Sequence, residues 1–469
     1  MPRSYPLEPG PDEMRSMGEA ALDALVGFVE GLDGAPALDR VGAEELAARL
    51  REEAPEFGES FEKVLGQIVE ASSKGIETAG PGFFGYIPGG GLVASALAAF
   101  IGFGMNRFVN FWEAAPVLAQ IEASVIRWMG ELFDYPPEAR GILTSGGSLA
   151  NFSAIVTARH ALLGEQFLDG VLYTSSQAHH SVAKAAMLAG FPHGNVRLVP
   201  CTPDLRMDVD ALHDMVDRDR REGFRPFCVV ANGGTTNTGT VDPLVDLVGV
   251  AHERRIWVHV DAAYGGFFQL TDRGRRVLRG ITGADSITLD PHKGLFLPYG
   301  TGALIVRDGA RLREAHRVRG EYMQDVAEET EIPSFGDYST ELSRDFRGLR
   351  VWLPLKLHGL QAFRDALDEK LDLTRFAHDR LRTTKGFEVP WEPDLTVIPF
   401  RYGFRSRDAE EGNRALLERI NASGRVFLSS TMLDGRFTLR MCILSHRSHA
   451  DRVEECVEII RRSAAELDR

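Results

Sequence analysis

A chain of 469 residues is long enough for roughly three average domains, and 44% apolar with 26% charged residues is ordinary for a globular enzyme with a sizeable core. Its 53 basic and 67 acidic residues leave a net charge of −14 with no Lys/Arg-rich block, which makes nucleic acid and anionic membranes poor partners. Cys201, Cys228, Cys442 and Cys456 form no CxxC pair, which argues against a zinc knuckle or a disulfide scaffold, and no apolar run marks a signal peptide, so a reducing cytoplasm is expected.

In chain order, residues 12–78 are predicted as helices with apolar residues at helical spacing, closed by the Pro/Gly stretch AGPGFFGYIPGGG at 79–91. The most apolar stretch, GLVASALAAFIGFGM at 91–105, is too short to span a bilayer. From about residue 141 short strands alternate with helix-length connections: GILTSG, VLYTSS, VRLVPC, PFCVVANGG, IWVHVDAA, DSITLD and GALIVRD. Continuous β-branched runs of this kind predict an α/β fold with a seven-stranded, mostly parallel sheet covered on both faces. After about 355 come a long helix, the strand LTVIPFRY, a helix, the strands RVFLSS and RFTLRMCIL, and a helix from Ala450. The expected domains are an N-terminal helical segment (1–80), a large domain (81–355) and a small α/β C-terminal domain (356–469). The charged pieces DRDRREG and RSRDAEEG read as solvated helix ends and loops.

In open α/β sheets ligands sit beyond the carboxyl ends of the strands. The first strand ends in Ser145-Gly146-Gly147-Ser148, either a tight turn with Ser148 capping a helix or an anion cradle. The second ends in Gln177-Ala178-His179-His180-Ser181, a polar helix start or a histidine placed for stacking or acid–base work. Asn232-Gly233-Gly234-Thr235-Thr236 adds hydroxyls. Asp261, directly after WVHV, is costly to bury as an anion unless paired or hydrogen-bonded. Lys293, in DPHKGLFLPYGTG, stands at the end of a core strand with no evident acidic partner, so a lowered pKa and a nucleophilic amine are expected. A cradle, a stacking histidine, a hydroxyl, a carboxylate and an amine together suit pyridoxal phosphate, whose phosphate, ring, ring nitrogen and aldehyde need those groups.

The ordered motifs FFGYIPGG, AAPVLAQIE, TSGGSLAN, QAHHS, GTTNTGTVDP, HVDAAYGG, DPHKG and LSRDFRGLRVWL also resemble the group II pyridoxal-phosphate-dependent decarboxylases, from about Gly82 to Cys442. That group includes aromatic-L-amino-acid, histidine and glutamate decarboxylases. The resemblance implies a fold-type I (aspartate aminotransferase-like) enzyme that decarboxylates an L-amino acid, with the cofactor bound covalently to Lys293 and His292 reaching the phosphate. It implies Gly147 and Ser148 at the phosphate, His179 and Ala263 on the two ring faces, Asp261 at the ring nitrogen and Thr236 near the ring hydroxyl or substrate. It also implies a homodimer with the active site at the interface and the N-terminal helices around the partner. Asp290 departs from the family, which often has asparagine or serine there, and this puts a phosphate contact through that residue in doubt. Phe84, Trp112 and Arg440 are the expected substrate contacts. Aromatic walls suit a bulky aromatic amino acid, whereas Arg107 and Glu113 suit a polar or acidic one equally. A tyrosine between Tyr322 and Leu342 is the family's proton donor. The gap-free position is Phe335, with Tyr338 three residues later. Tyr338 favours simple decarboxylation, and phenylalanine would imply oxidative decarboxylation–deamination to an aldehyde. The intact set of Ser148, His179, Asp261 and Lys293 argues against a non-catalytic homologue.

Overall fold

The computed structural model describes residues 7–317 and 333–469. All seven predicted strands of the large sheet form: β1 (Arg140–Thr144), β2 (Gly170–Ser175), β3 (Val196–Val199), β4 (Arg225–Asn232), β5 (Trp257–Asp261), β6 (Ser286–Leu289) and β7 (Gly302–Val306). Their order is β1-β7-β6-β5-β4-β2-β3, and only β7 runs antiparallel to its neighbours. The central strands are mostly apolar because both faces are covered. Val229, Ala231, Val258 and Val260 enter the cluster on one face. Cys228, Val230 and Trp257 enter the cluster on the other.

The smaller sheet contains β8 (Phe387–Glu388), β9 (Val397–Tyr402), β10 (Ser429–Leu433) and β11 (Arg436–Cys442), antiparallel in the order β8-β9-β11-β10. Asp434 and Gly435 join β10 to β11 with φ of 49° and 75°. Two left-handed residues make the tight turn whose twist suits a two-residue hairpin. Helices Ala409–Asn421 and Ala450–Leu467 cover this sheet, as does the C-terminal half of Arg347–Arg382, which bends at Gly359 (φ 71°).

One predicted strand shifts. RVFLSS enters the sheet only from Ser429, because Phe427 instead pairs with the 82–84 segment. Its N–H donates to Gly82 O at 2.9 Å, and its carbonyl accepts the Phe84 N–H at 2.9 Å. Helix Pro11–Gly31 buries none of its residues in this chain. Among the described residues no helix is long and apolar enough to cross a membrane.

Candidate active site

Parallel pairing sets three strand ends side by side, with Asn232 opposite Asp261 and Asp261 opposite Thr288. Asp261 is 8% exposed, so its charge depends on hydrogen bonds. The Ala263 N–H donates to its Oδ1 at 3.2 Å and Asn151 Nδ2 to its Oδ2 at 2.8 Å. Asn151 also donates to Ser181 Oγ at 3.1 Å, and that hydroxyl lies 2.8 Å from His179 Nδ1. On its other side, Asn151 Oδ1 lies 3.0 Å from His259 Nε2, while His259 Nδ1 lies 2.8 Å from Ser286 Oγ. Trp257 Nε1 donates to the same Ser286 oxygen at 2.9 Å.

The donor inventory gives this network one direction. An indole N–H only donates, and an amide oxygen only accepts. His259 therefore donates through Nε2, and the Ser286 hydroxyl donates to its Nδ1. On the other branch the Ser181 hydroxyl donates to His179 Nδ1, which leaves the His179 proton on Nε2. Burial pushes His259 down to about 4 against the pull of Asp261. Burial likewise lowers His179, opposed by Asp261 and helped by His180 and Lys293. Both rings are neutral at pH 7.

Lys293 sits on the short helical turn Pro291–Gly294. The expectation that it lacks an acidic partner is corrected here. Its Nζ lies 2.8 Å from Asp290 Oδ2, because residues three apart on one helical turn share a side. The expected pKa direction is corrected as well. Burial alone would lower the amine, but the charge and hydrogen bond of Asp290, with Asp261 and Tyr299 beyond, hold it above the ordinary lysine value. His292 Nδ1 donates to Thr301 O at 2.7 Å, leaving Nε2 toward Asp290 at 3.7 Å.

The alternative in which Ser148 caps the helix is not realised. Helix Gly147–Leu163 has Gly146 at its N-cap and no side-chain hydrogen bond there. Gly147, Ser148 and Leu149, which carry its first N–H groups, line the cavity. A Cβ at Gly147 would stand 3.1 Å from Ala263 Cβ and 3.2 Å from Asp290 Oδ2, tighter than ordinary contact, so a side chain here would push its neighbours aside.

Gly147, Ser148, His179, Thr236, Asp261, Ala263, His292 and Lys293 all line one cavity of about 300 Å³. The set fits pyridoxal phosphate: an uncapped helix start for the phosphate, a neutral imidazole and an alanine for the ring, a hydrogen-bonded carboxylate for the ring nitrogen, and an amine for the aldehyde. Asn151, Ser181, Asn232, Tyr264 and Asp290 line the same cavity and were not singled out from sequence as its ligands. The signal available for Asn151 was its place in SGGSLAN, one turn into the cradle helix.

Other candidates are not brought to this cavity. Phe84 is wholly buried in the small-domain core, drawn there by the Phe427 pairing. Trp112 packs against the main core, and its backbone N–H donates to Ser334 Oγ at 3.3 Å. Arg440 is 3% exposed. Its Nε donates to Asn237 O at 3.0 Å, its NH1 to Ser429 Oγ at 2.9 Å and its NH2 to Thr236 O. It thus clamps the 236–237 loop to the small sheet, and its donors are used on protein oxygens. Phe335 is fully buried beneath the Arg344 guanidinium, 5.1 Å from the ring centroid. Tyr338 packs among residues at the amino end of β1, where burial raises its pKa against Arg140 and Arg313. That end lies about 13 Å along the strand from Thr144, where the cavity begins. Within one chain Tyr338 is therefore not in reach of Lys293. The loop positions from Tyr322 to residue 332 lie outside the described residues.

Residues 44–403 match the pyridoxal-dependent decarboxylase conserved domain. The chain is 34% identical to an aromatic-L-amino-acid decarboxylase of Bacillus atrophaeus, covering 98% of this chain and 97% of that protein. It is 27% identical to a phenylacetaldehyde synthase of Arabidopsis thaliana, covering 97% of this chain and 95% of that one. The crystal structure of Oryza sativa TDC with PLP and tryptamine superposes with a TM-score of 0.93 at 27% identity, covering 100% of both chains. With its cavity and its full-length likenesses in agreement, the chain belongs to the pyridoxal-dependent decarboxylase family and is a pyridoxal-phosphate-dependent amino-acid decarboxylase.

Proposed function

We propose that the chain converts an aromatic L-amino acid to its amine and CO₂. The observation that carries this reading is the Lys293 amine and the Asp261 carboxylate opening onto one cavity, in a chain 34% identical to an aromatic-L-amino-acid decarboxylase over nearly its whole length. Bound pyridoxal phosphate supplies an electron sink for the pair left behind when the carboxylate departs. Lys293 is the amine that would anchor it covalently and would be released as the substrate's amino group takes its place. Asp261, fixed by Asn151 and the Ala263 N–H, would face the ring nitrogen of the bound cofactor and would favour its protonated, electron-withdrawing form. The amides of Gly147 and Ser148 would hold the phosphate, with His292 beside them. His179 would cover one ring face and Ala263 the other, and His179 Nε2 would carry the proton to be returned to the substrate's Cα. Thr236 is held at the rim by the Arg440 clamp on its carbonyl.

The working unit is a homodimer in the cytoplasm, with the segment 1–80 against the partner. Phe100 and Phe103 on helix Val93–Met105 are 71% and 62% exposed in the single chain, apolar surface that a second copy would cover. A second reading, aldehyde formation, rests on the 27% identity to the Arabidopsis thaliana phenylacetaldehyde synthase. A panel of L-amino acids with mass-spectrometric detection separates the two. Amine and CO₂ without peroxide, best with aromatic substrates, is the expected result. Aldehyde with peroxide would replace it, and turnover confined to acidic substrates would refute the substrate class.

A further inference from the structure

We propose that Asp290 is the holding point for the Lys293 ammonium whenever that amine is not covalently engaged, and that it thereby sets how readily the lysine returns. This rests on the reading of Lys293 as the covalent anchor.

Asp290 is 2% exposed, with Oδ2 at 2.8 Å from Nζ, and its Oδ1 is buried with no hydrogen-bond partner among the described residues. The other carboxylate in the cavity, Asp261, is already engaged by Asn151 and Ala263. Asp290 is therefore the carboxylate available to an ammonium. The remaining groups facing the amine are Asp261 from β5, His179 from the loop after β2, Tyr299 and His292 from its own stretch, and Cys442 from β11.

An incoming amino acid arrives as an ammonium. Its nitrogen forms the bond to carbon that Nζ gives up, and the two protons it sheds end on Nζ. The lysine thus leaves as an ammonium, and the exchange balances without outside acid. A buried carboxylate at hydrogen-bond distance then holds that proton, and only the neutral amine can attack carbon again. Asp290 delays re-attack and gives the substrate time to react.

The test compares native apoprotein with Asp290→Asn. Each is mixed with pyridoxal across a pH series and reduced with borohydride, and the labelled Lys293 peptide is quantified by mass spectrometry. Pyridoxal lacks the phosphate, so relief of repulsion between carboxylate and phosphate cannot produce the result. Labelling of the variant should have its midpoint roughly one to three pH units lower, giving about tenfold or more labelling at neutral pH. A midpoint unchanged or raised overturns the proposal. Asp290→Ser serves the same comparison if circular dichroism shows the asparagine form unfolded. Native protein that is never labelled at Lys293 would overturn the anchor reading and this inference together.

Discussion

Asn151 carries no charge, yet its side chain ties the Asp261 carboxylate to two neutral histidines, through Ser181 on one side and directly on the other. His259 makes this arrangement sensitive to acid. Its folded pKa is about 4 against 6.5 for an unburied ring, so below pH 6.5 the unfolded chain binds a proton that the folded one refuses. Stability is complete above that range and falls as pH drops from 6.5 to about 4, by on the order of 3 kcal/mol. His446, pushed to about 3 by burial first and Arg447 next, acts in the same direction. Thermal midpoints measured across this range should fall less steeply in His259→Gln than in the native chain. Equal slopes would show that His259 is not the sensing group. At this scale Lys293 and Asp261 were legible because a charged residue directly after a core strand is costly without a purpose. Asn151 was not, because a polar residue in a helix looks the same whether it faces water or a carboxylate 110 positions later.

Helix Gly147–Leu163 does its work at its uncapped first turn, packed against the ends of β5 and β6. Gly147→Ala would force a methyl to 3.1 Å from Ala263 Cβ and 3.2 Å from Asp290 Oδ2. Overpacking of this kind costs about 1–3 kcal/mol, so cofactor affinity should drop roughly tenfold or more while the circular dichroism spectrum is retained. Equilibrium titration with pyridoxal phosphate measures it, and unchanged affinity would remove the glycine from the cradle. Elements were legible where their pattern was local. The β-branched runs of the large sheet depend on neighbours in sequence. The start of β10 depended on where Phe427 found its partner.

Across the whole molecule, helix Pro116–Leu132 is tied to the chain entering the long helix by a fully buried ion pair, Glu122 with Arg344 at 2.5 Å. Glu122 also accepts the Gly348 N–H at 3.2 Å, and Arg344 donates to Asn110 Oδ1 at 2.5 Å. Removing one partner strands the other charge away from water. Glu122→Ala should cost about 3–5 kcal/mol, read as a lowered urea midpoint at an unchanged slope. A loss below about 1 kcal/mol would mean that water reaches the arginine. This pair joins segments more than two hundred residues apart and leaves no periodic trace in the sequence.

By itself the sequence determined the seven strands, the chemistry gathered at their carboxyl ends and hence the cofactor, because period, propensity and the cost of burying charge are local quantities. Only the tertiary structure decided which aromatic and cationic side chains reach the cavity. Phe84 went to the small-domain core and Arg440 to backbone carbonyls because their partners come from distant segments. The state of Lys293 depended on the local turn, since the short helix Pro291–Gly294 sets Asp290, three residues earlier, within hydrogen-bond distance of the amine.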